Sequence, residues 1–387
     1  MNDRGSDVVI IGAGVHGASA AYHLARSGTR VTVIERLAPA GGPTGLSSGV
    51  CRAYYTNGFL AEAARDSIRM MLDFEEIGRG HDSGYRRTGF LYLHPPQDAQ
   101  GVTDNAARLN TLEIRVELHR GDDLARQFPQ FALDDIGIGA YEVEAGYADP
   151  AGTTAGLMAG AVASGAVLRS HATVQELKLR PGGGAVVRLP GRESLEAERL
   201  LIAAGPWTAP LARQVGVELP LGVERHVVAT TRLADPARIP FGHSDLVTGY
   251  YCRPEGADQY VMGWTHPGEP VNPDQFDRSI RRDEELELEN AVARRYPLMH
   301  DAEPRGGWAS LYDVSPDWQP VIGEIAEGVF VDAGTSGHGF KLAPALGRHV
   351  ADLVRGRPDP RLAQFDPQRF EKGELLSAGY RDARILG

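Results

Sequence analysis

A glycine-rich segment near the start of the chain has the spacing of a phosphate-binding turn. Gly12, Gly14 and Gly17 follow the apolar run at residues 8–11, and the pattern then changes to helical spacing. Gly12 permits a tight turn, Gly14 lets a pyrophosphate approach the backbone, and Gly17 lets the helix pack closely on the strand. The N-terminus of that helix would face the phosphates. The segment predicts a dinucleotide site, whose turn is completed by Ala13, Val15 and His16.

An acidic residue stands where a ribose ligand is expected. The helix is predicted to end near Gly28, and residues 30–34 resume a strand that ends in Glu35. A carboxylate there accepts hydrogen bonds from ribose hydroxyls and repels a 2′-phosphate, which favours FAD or NAD over NADP. The motif alone leaves FAD and NAD open. Arg36, the next residue, is assigned to the same site.

The composition limits the class of protein. The 387 residues predict two domains, interleaved rather than consecutive. The net charge of −11 argues against binding to nucleic acid or to an anionic membrane surface, and no run approaches the roughly 18 apolar residues of a membrane span. The two cysteines, Cys51 and Cys252, are far apart and predict neither a disulfide framework nor a metal site. Without a recognisable signal peptide, we expect a cytoplasmic protein.

Four blocks in order resemble the FAD-dependent amine oxidoreductases of the D-amino-acid oxidase, glycine oxidase and sarcosine oxidase type. They are the N-terminal unit and residues 45–52, 200–207 and 315–341, and the resemblance extends over about two thirds of the chain. The resemblance implies bound FAD. It assigns further contacts with FAD to Ser47, Ser48, Arg52, Val174, Ala204, Gly205, Trp207, Gly334, Gly337, His338, Gly339, Phe340 and Lys341.

Physical arguments also relate the last block, residues 315–341, to a flavin site. Its glycines clear room for a flat ring, and a helix predicted over 342–353 would direct its N-terminus at the cofactor. The helix dipole would stabilise the negative charge of reduced flavin. Val174, in a strand predicted at 171–174, resembles the family's edge strand beside the adenine.

The resemblance also implies the architecture. We expect an α/β fold in which a Rossmann-type FAD-binding domain (1–84, 146–216 and 306–387) is interleaved with an antiparallel-sheet substrate domain, or cap (85–145 and 217–305). Short apolar runs broken by Pro and Gly predict the antiparallel strands of the cap. Helices are predicted at 59–78 and 284–296, and a hairpin turn at 181–184.

The implied reaction is oxidation of a C–N bond in a secondary or tertiary amine or an amino acid. Hydride passes from carbon to flavin N5, and the imine can then hydrolyse, so the site must mainly position its substrate. Lys341 matches a lysine that helps to bind the substrate carboxylate, and Arg52 matches an arginine beside the flavin face. Tyr251 matches a pocket tyrosine, and His338 is expected at the flavin. The substrate-binding set is completed by Tyr54, Tyr55, Tyr250 and Arg253.

Three positions depart from the pattern of monomeric sarcosine oxidase. Tyr55 replaces a second carboxylate-binding arginine, so a larger or less acidic amine becomes a plausible substrate. Val261 replaces a lysine that activates dioxygen, which favours a dehydrogenase or an oxidase that uses another cation. Ser310 replaces the cysteine that tethers flavin, so FAD is expected to be non-covalent.

Several alternatives stay open at this point. The electron acceptor is dioxygen or another molecule. The chain is alternatively an FAD-dependent 2-hydroxy-acid dehydrogenase, an NAD-dependent dehydrogenase, or a non-catalytic flavin-binding subunit of a heteromeric amine dehydrogenase. Trp308 and residues 313–317 resemble the β subunit of heteromeric sarcosine oxidase, which makes a partner subunit conceivable.

Overall fold

A mixed sheet of eight strands forms one half of the molecule. The computed structural model describes residues 6–235 and 237–377. Neighbouring strands of the sheet follow the order Glu176–Leu179, Ala185–Arg188, Ser194–Ile202, Ser6–Ile11, Val31–Ile34 and Val167–Arg169. Val329–Ala333 also pairs with Ser194–Ile202, and Val321–Ala326 pairs with Val329–Ala333. The strands on either side of Ser6–Ile11 run parallel to it, and the hairpin at the edge is antiparallel.

Alternation along the first strand separates two hydrophobic clusters. Val8 and Ile10 belong to the cluster that contains the long helices, whereas Val9 and Ile11 belong to the cluster on the other face. Because both faces of this strand are covered, its sequence is a continuous β-branched run. The long helices of the first cluster are Val15–Arg26, Gly58–Leu72, Pro150–Ala163 and Gly339–Val354.

A second sheet of nine strands forms the other half. Its strands follow the order Glu269–Pro270, Gly222–Arg232, Gln259–Trp264, Tyr250–Glu255, Gly242–Asp245, Phe90–His94, Ile138–Glu142 and Val116–His119, and Glu303–Val314 also pairs with Gly222–Arg232. The pairs are antiparallel except for Gly242–Asp245 with Phe90–His94. Arg282–Arg295 packs against this sheet through Leu288 and Val292. A third, small sheet contains Val50–Cys51, Gly146–Tyr147 and Arg86–Arg87.

The remaining elements are five helices and six 3₁₀ turns within the described residues. The α-helices among them are Glu75–Gly78, Ala99–Thr111, Gly121–Gln127, Thr208–Gln214 and Gln368–Lys372. The 3₁₀ turns are Pro43–Leu46, Pro96–Asp98, Pro190–Arg192, Gly205–Trp207, Pro297–Asp301 and Pro360–Phe365. Within the described ranges, no helix is long and apolar enough to cross a membrane.

The predicted fold class is confirmed, and most of the predicted elements are present. The helix predicted at 59–78 is two helices that separate at Asp73. The helix predicted from Leu342 begins three residues earlier, at Gly339. The hairpin turn at 181–184 joins two antiparallel strands as expected.

One predicted strand is wrong. Residues 172–175 are irregular, and the strand begins at Glu176. His171 has a φ of 57°, in the left-handed region, which interrupts an extended strand at that point.

The proposed domain division remains a prediction. Its boundary at 306 falls inside the strand Glu303–Val314, which pairs along its length with Gly222–Arg232. The outermost ends of the proposed domains, 1–5 and 378–387, lie outside the described residues.

Candidate active site

An extended cavity lies where the two large sheets meet. The carboxyl ends of three central strands of the first sheet reach it through Ile11, Ile34 and Ala203. The second sheet contributes Val228 and Tyr312. In open α/β sheets, ligands bind outside the carboxyl ends of the strands, so this cavity stands where a cofactor is expected.

The steric roles predicted for two of the N-terminal glycines agree with the structure, and the third glycine lies at the cavity. Gly12 has a φ of +105°, and a Cβ there would lie 2.3 Å from the carbonyl oxygen of Ala203. A Cβ on Gly17 would lie 2.0 Å from the carbonyl oxygen of Gly12. Gly14 lines the cavity, and the nearest atom that its Cβ would meet is Thr44 Oγ1, at 3.1 Å. Gly12 and Gly17 therefore permit close packing of the backbone, and Gly14 presents no side chain to the cavity.

The adjoining helix end suits a pyrophosphate. Helix Val15–Arg26 begins at Gly14 without a side-chain cap and without an acidic residue in its first turn. Thr44 Oγ1, at 3.2 Å, accepts a hydrogen bond from the Val15 N–H. The positive end of the helix dipole thus meets the cavity, which fits the diphosphate of FAD.

Glu35 both lines the cavity and holds the glycine turn. Its Oε2 accepts from the Ala13 N–H at 2.8 Å, and its Oε1 accepts from the Leu37 N–H at 2.7 Å. These bonds fix the carboxylate beside the turn, where ribose hydroxyls would find an oriented acceptor.

A cation–π pair closes the same end of the cavity. The Arg36 guanidinium lies 3.6 Å from the centre of the Trp207 ring. Trp207 Nε1 donates to Asp274 Oδ1 at 2.9 Å, and Asp274 also pairs with Arg36 at 3.6 Å. Val174, Ala204 and Gly205 line this end as well.

The second glycine-rich turn lies at the opposite wall. Gly337, Gly339 and Phe340 line the cavity. A Cβ on Gly337 would lie 2.5 Å from the Tyr312 ring, so this close approach requires glycine. Gly334 anchors the start of the turn, since its N–H donates a hydrogen bond to Asp313 Oδ2 at 2.6 Å.

Two buried cations stand beside this second turn. Arg52 is 3% exposed and Lys341 is 6% exposed. The Arg52 guanidinium donates to the Tyr54 carbonyl at 2.9 Å and lies 4.7 Å from the Tyr55 ring centre. Lys341 Nζ is 3.4 Å from the Gly337 carbonyl. Burial, followed by the charge of Arg52, lowers the pKa of Lys341 to about 7.

A buried carboxyl, which sequence reasoning missed, completes the cluster. Glu142 accepts from the Ala53 N–H at 2.7 Å and from the Tyr92 hydroxyl at 3.0 Å. Burial raises its pKa to about 7, although these hydrogen bonds and Arg52 act in the opposite direction. Nothing in the sequence separates Glu142 from the neighbouring Glu144, because only the pairing of its strand turns it inward.

Two tyrosines extend the cluster. The Tyr55 hydroxyl lies 3.2 Å from His338 Nδ1, and burial raises the pKa of Tyr55, so the hydroxyl is neutral. Tyr54 stacks on Tyr92, with ring centres 4.2 Å apart. Both predicted tyrosines are fully buried. Arg52, Tyr54, Tyr55, His338 and Lys341 therefore form one group, as their assignment to one site requires, although they do not line the described cavity.

The structure places the other predicted substrate residues differently. Tyr250 lies in the core of the second sheet, with its hydroxyl 3.3 Å from His243 Nε2. Tyr251 is hydrogen-bonded to Ser48. Arg253 donates to the Ser48 carbonyl and to Glu255 Oε2, each at 2.6 Å. Of these, Tyr251 and Arg253 contact the loop that carries the cavity residues Ser47 and Ser48, whereas Tyr250 packs away from it.

His226 is a second residue that the sequence did not identify. It lines the cavity, stacks on Tyr312 at 3.9 Å and bonds Glu224 Oε2 through Nε2 at 3.1 Å. Burial lowers its pKa. Alternation predicts the strand that carries His226 but not which of its faces meets the cavity.

Ser310, the position that the resemblance relates to a flavin tether, lines the cavity. Cys51 and Cys252 are buried and free. Over residues 6–235 and 237–377, no group of three or more His, Cys, Asp and Glu side chains is arranged to hold a metal ion.

Comparisons with known proteins agree with this geometry. The family model described as FAD dependent oxidoreductase (DAO) matches residues 7–353. The human peroxisomal sarcosine oxidase is 26% identical, and the alignment covers 94% of this chain and 96% of that protein. Rat mitochondrial dimethylglycine dehydrogenase is 27% identical over 98% of this chain, which spans only 46% of that longer protein. The structure of L-proline dehydrogenase from P. horikoshii superimposes with a TM-score of 0.86 at 23% identity, covering 96% of this chain and 99% of that one, which shows a shared fold.

Proposed function

Since the chain belongs to the DAO family of FAD-dependent oxidoreductases, we propose that it oxidises the C–N bond of a secondary or tertiary amine or an amino acid that carries a carboxylate. Relatives named for sarcosine and dimethylglycine support an N-alkylated amino acid as the donor. Bound FAD would supply the acceptor for the two electrons of the C–H bond beside nitrogen.

The pairing of Arg52 with Lys341 carries this proposal. Lys341 is a buried cation whose ammonium group contacts one carbonyl oxygen, and burying such a charge is costly unless an anion completes the site. A substrate carboxylate is such an anion, and a charge-assisted bond to Lys341 would raise the pKa of the lysine again.

Arg52 and Lys341 also influence the protonation state of the substrate amine. Positive charge on Arg52 and Lys341 disfavours an ammonium ion nearby and favours the neutral amine from which hydride leaves most easily. Tyr54, Tyr55 and Tyr92 exclude water, since all three are fully buried. Glu142, held by Tyr92, limits the net charge of the cluster so that one carboxylate suffices to balance it.

The remaining assignments complete the proposal. Gly14, Glu35, Arg36 and the glycine-rich turn at 334–339 hold FAD without a covalent bond. Val261 is buried between neighbouring strands and carries no charge, which supports an electron acceptor other than dioxygen or a different oxygen-activating cation. Two free, buried cysteines support a reducing compartment such as the cytoplasm.

A matched pair of donors tests the proposal. Flavin reduction is followed without oxygen for N-methyl amino acids and for their carboxamides, which keep the amine and remove the negative charge. We expect the acid to reduce the protein at least about tenfold more efficiently than the amide, equivalent to about 1.4 kcal/mol. Equal efficiencies would refute the carboxylate requirement, and reduction by glycolate but by no amine would identify a 2-hydroxy-acid dehydrogenase.

A further inference from the structure

His16 joins the two cofactor-binding turns through both of its ring nitrogens. It lies in the first turn of helix Val15–Arg26 and lines the cavity. Nδ1 is 2.9 Å from each carboxylate oxygen of Asp332, and Nε2 is 3.1 Å from the carbonyl oxygen of Gly339. Asp332 is the penultimate residue of strand Val329–Ala333, which precedes the glycine-rich turn, and Gly339 begins the helix after that turn.

These partners define the protonation state of the ring. A carboxylate and a carbonyl oxygen are acceptors, so each nitrogen must donate. A neutral imidazole has a single N–H and would direct a lone pair at one of the two oxygens. The doubly protonated imidazolium satisfies both.

The surrounding charges are consistent with that state. The Asp332 side chain is fully buried, and that of His16 is 11% exposed. Although burial acts to lower it, the charge and hydrogen bond of Asp332, together with the charge of Asp313, raise the pKa of His16 above its usual value. Asp313 is itself held by the Gly334 N–H and lies on the same cavity wall.

We propose that His16 is a positioning residue that remains charged, fixes the start of helix Gly339–Val354 against the N-terminal helix, and shields FAD from the buried carboxylate of Asp332. Without this counter-ion, Asp332 would repel the diphosphate and the further negative charge that FAD acquires on reduction. These roles of His16 concern the cofactor and do not depend on which substrate the protein oxidises.

The chain provides a matched control. His23 lies two turns further along the same helix, and its Nε2 is 2.9 Å from the carbonyl oxygen of Pro344 in helix Gly339–Val354. Burial lowers the pKa of His23 to about 4, so this second bridge is neutral. His16→Gln and His23→Gln each remove one histidine bridge between the same two helices, but only His16→Gln removes a charge.

The test measures the reduction potential of the holoprotein against a reference dye. We expect His16→Gln to bind reduced FAD about tenfold more weakly relative to oxidised FAD, a potential about 30 mV more negative for a two-electron couple. His23→Gln should leave the potential unchanged. The double variant His16→Gln/Asp332→Asn should return towards the wild-type potential, because it removes both charges.

Two results would overturn the inference. An unchanged potential in His16→Gln would exclude the shielding role, and a double variant shifted as far as the single one would show that only packing is lost. A second measurement does not depend on folding of the variants. In ¹⁵N-histidine NMR spectra of the wild-type holoprotein at pH 8, we expect one doubly protonated ring, and its absence would show that His16 is neutral.

Discussion

Replacing Lys341 by methionine should weaken anion binding while it stabilises the fold. The side chain is 6% exposed, and its ammonium group has one carbonyl contact at 3.4 Å, so little in the empty site offsets its burial. Methionine has a similar length and no charge. The substitution therefore removes the cation and leaves Arg52 in place.

The size of the effect follows from the missing interaction. A hydrogen bond to a charged group contributes about 1.5–3 kcal/mol, so the Kd of a simple carboxylate should rise about 10- to 150-fold. This difference applies below pH 7, where Lys341, with its pKa of about 7, is charged. As the pH rises through 7, Lys341 loses its proton and Glu142, whose pKa is also about 7, gains negative charge, so wild-type affinity falls for both reasons. In Lys341→Met, only the ionisation of Glu142 should still lower the affinity for the carboxylate as the pH rises.

Acetate is the probe for this prediction, because it has no amine that titrates. Its binding is followed through the visible spectrum of bound FAD between pH 6 and 9. Lys372→Met is the control, since Lys372 is exposed and distant in sequence from the cluster. A Kd for Lys341→Met within twofold of the wild-type value at pH 6.5 would refute the carboxylate role.

The stability of the same variant provides an independent check. The pKa of Lys341 is lower in the folded protein than its ordinary value of 10.5, so the unfolded chain binds more protons between about pH 7 and 10.5. The burial cost is therefore complete below pH 7 and disappears as the pH rises towards 10.5. Lys341→Met should have a higher Tm than the wild-type protein at pH 6.5 and a similar Tm near pH 10.5. Equal Tm values at pH 6.5 would mean that the lysine is not buried as a cation.

Three further substitutions test the scaffold. Glu35→Gln should weaken FAD binding by about tenfold, since one of the two side-chain oxygens that accept from backbone N–H groups becomes an N–H donor; unchanged affinity in apoprotein titrations would count against its role. Gly17→Ala should unfold the protein or lower its Tm far more than Gly28→Ala, because the first Cβ would lie 2.0 Å from a carbonyl oxygen, whereas the second would meet nothing within 4 Å and adds only the strain of a φ of +84°; equal Tm losses would contradict this packing. Arg369→Met should destabilise the fold by about 3–5 kcal/mol in denaturant titrations, because Asp317 would remain buried without its partner; a loss below about 1 kcal/mol would show that the pair is not needed.

The local motifs were predictable because short-range physics determines them. The β-branched run, the three glycines and the following helix each follow from backbone sterics and hydrophobic periodicity. The steric role of Gly17 follows from its spacing, and a Cβ at this position would lie 2.0 Å from the Gly12 carbonyl oxygen. The helix at Gly339 began earlier than predicted because the glycines that open it have no helical periodicity of their own.

The rest of the site depends on long-range pairing. Glu142 and Arg52 meet because strand Ile138–Glu142 pairs within the second sheet, far along the chain from the N-terminal unit. Tyr250 and Tyr251 are neighbours in one strand, so their side chains point to opposite faces. The two side chains therefore cannot both face one pocket, and Tyr250 lies in the core.

The central claim is that this flavoprotein oxidises an amine that carries a carboxylate, and an anaerobic visible titration tests it most directly. The purified protein is titrated with N-methyl amino acids, cyclic imino acids, D-amino acids and 2-hydroxy acids, and air is then readmitted to show whether dioxygen restores the spectrum. We predict a flavin band near about 450 nm that bleaches with at least one amino acid substituted on nitrogen. A flavin band that no amine bleaches would contradict the proposed reaction and indicate a non-catalytic subunit, and a colourless protein that FAD cannot reconstitute would contradict the account as a whole.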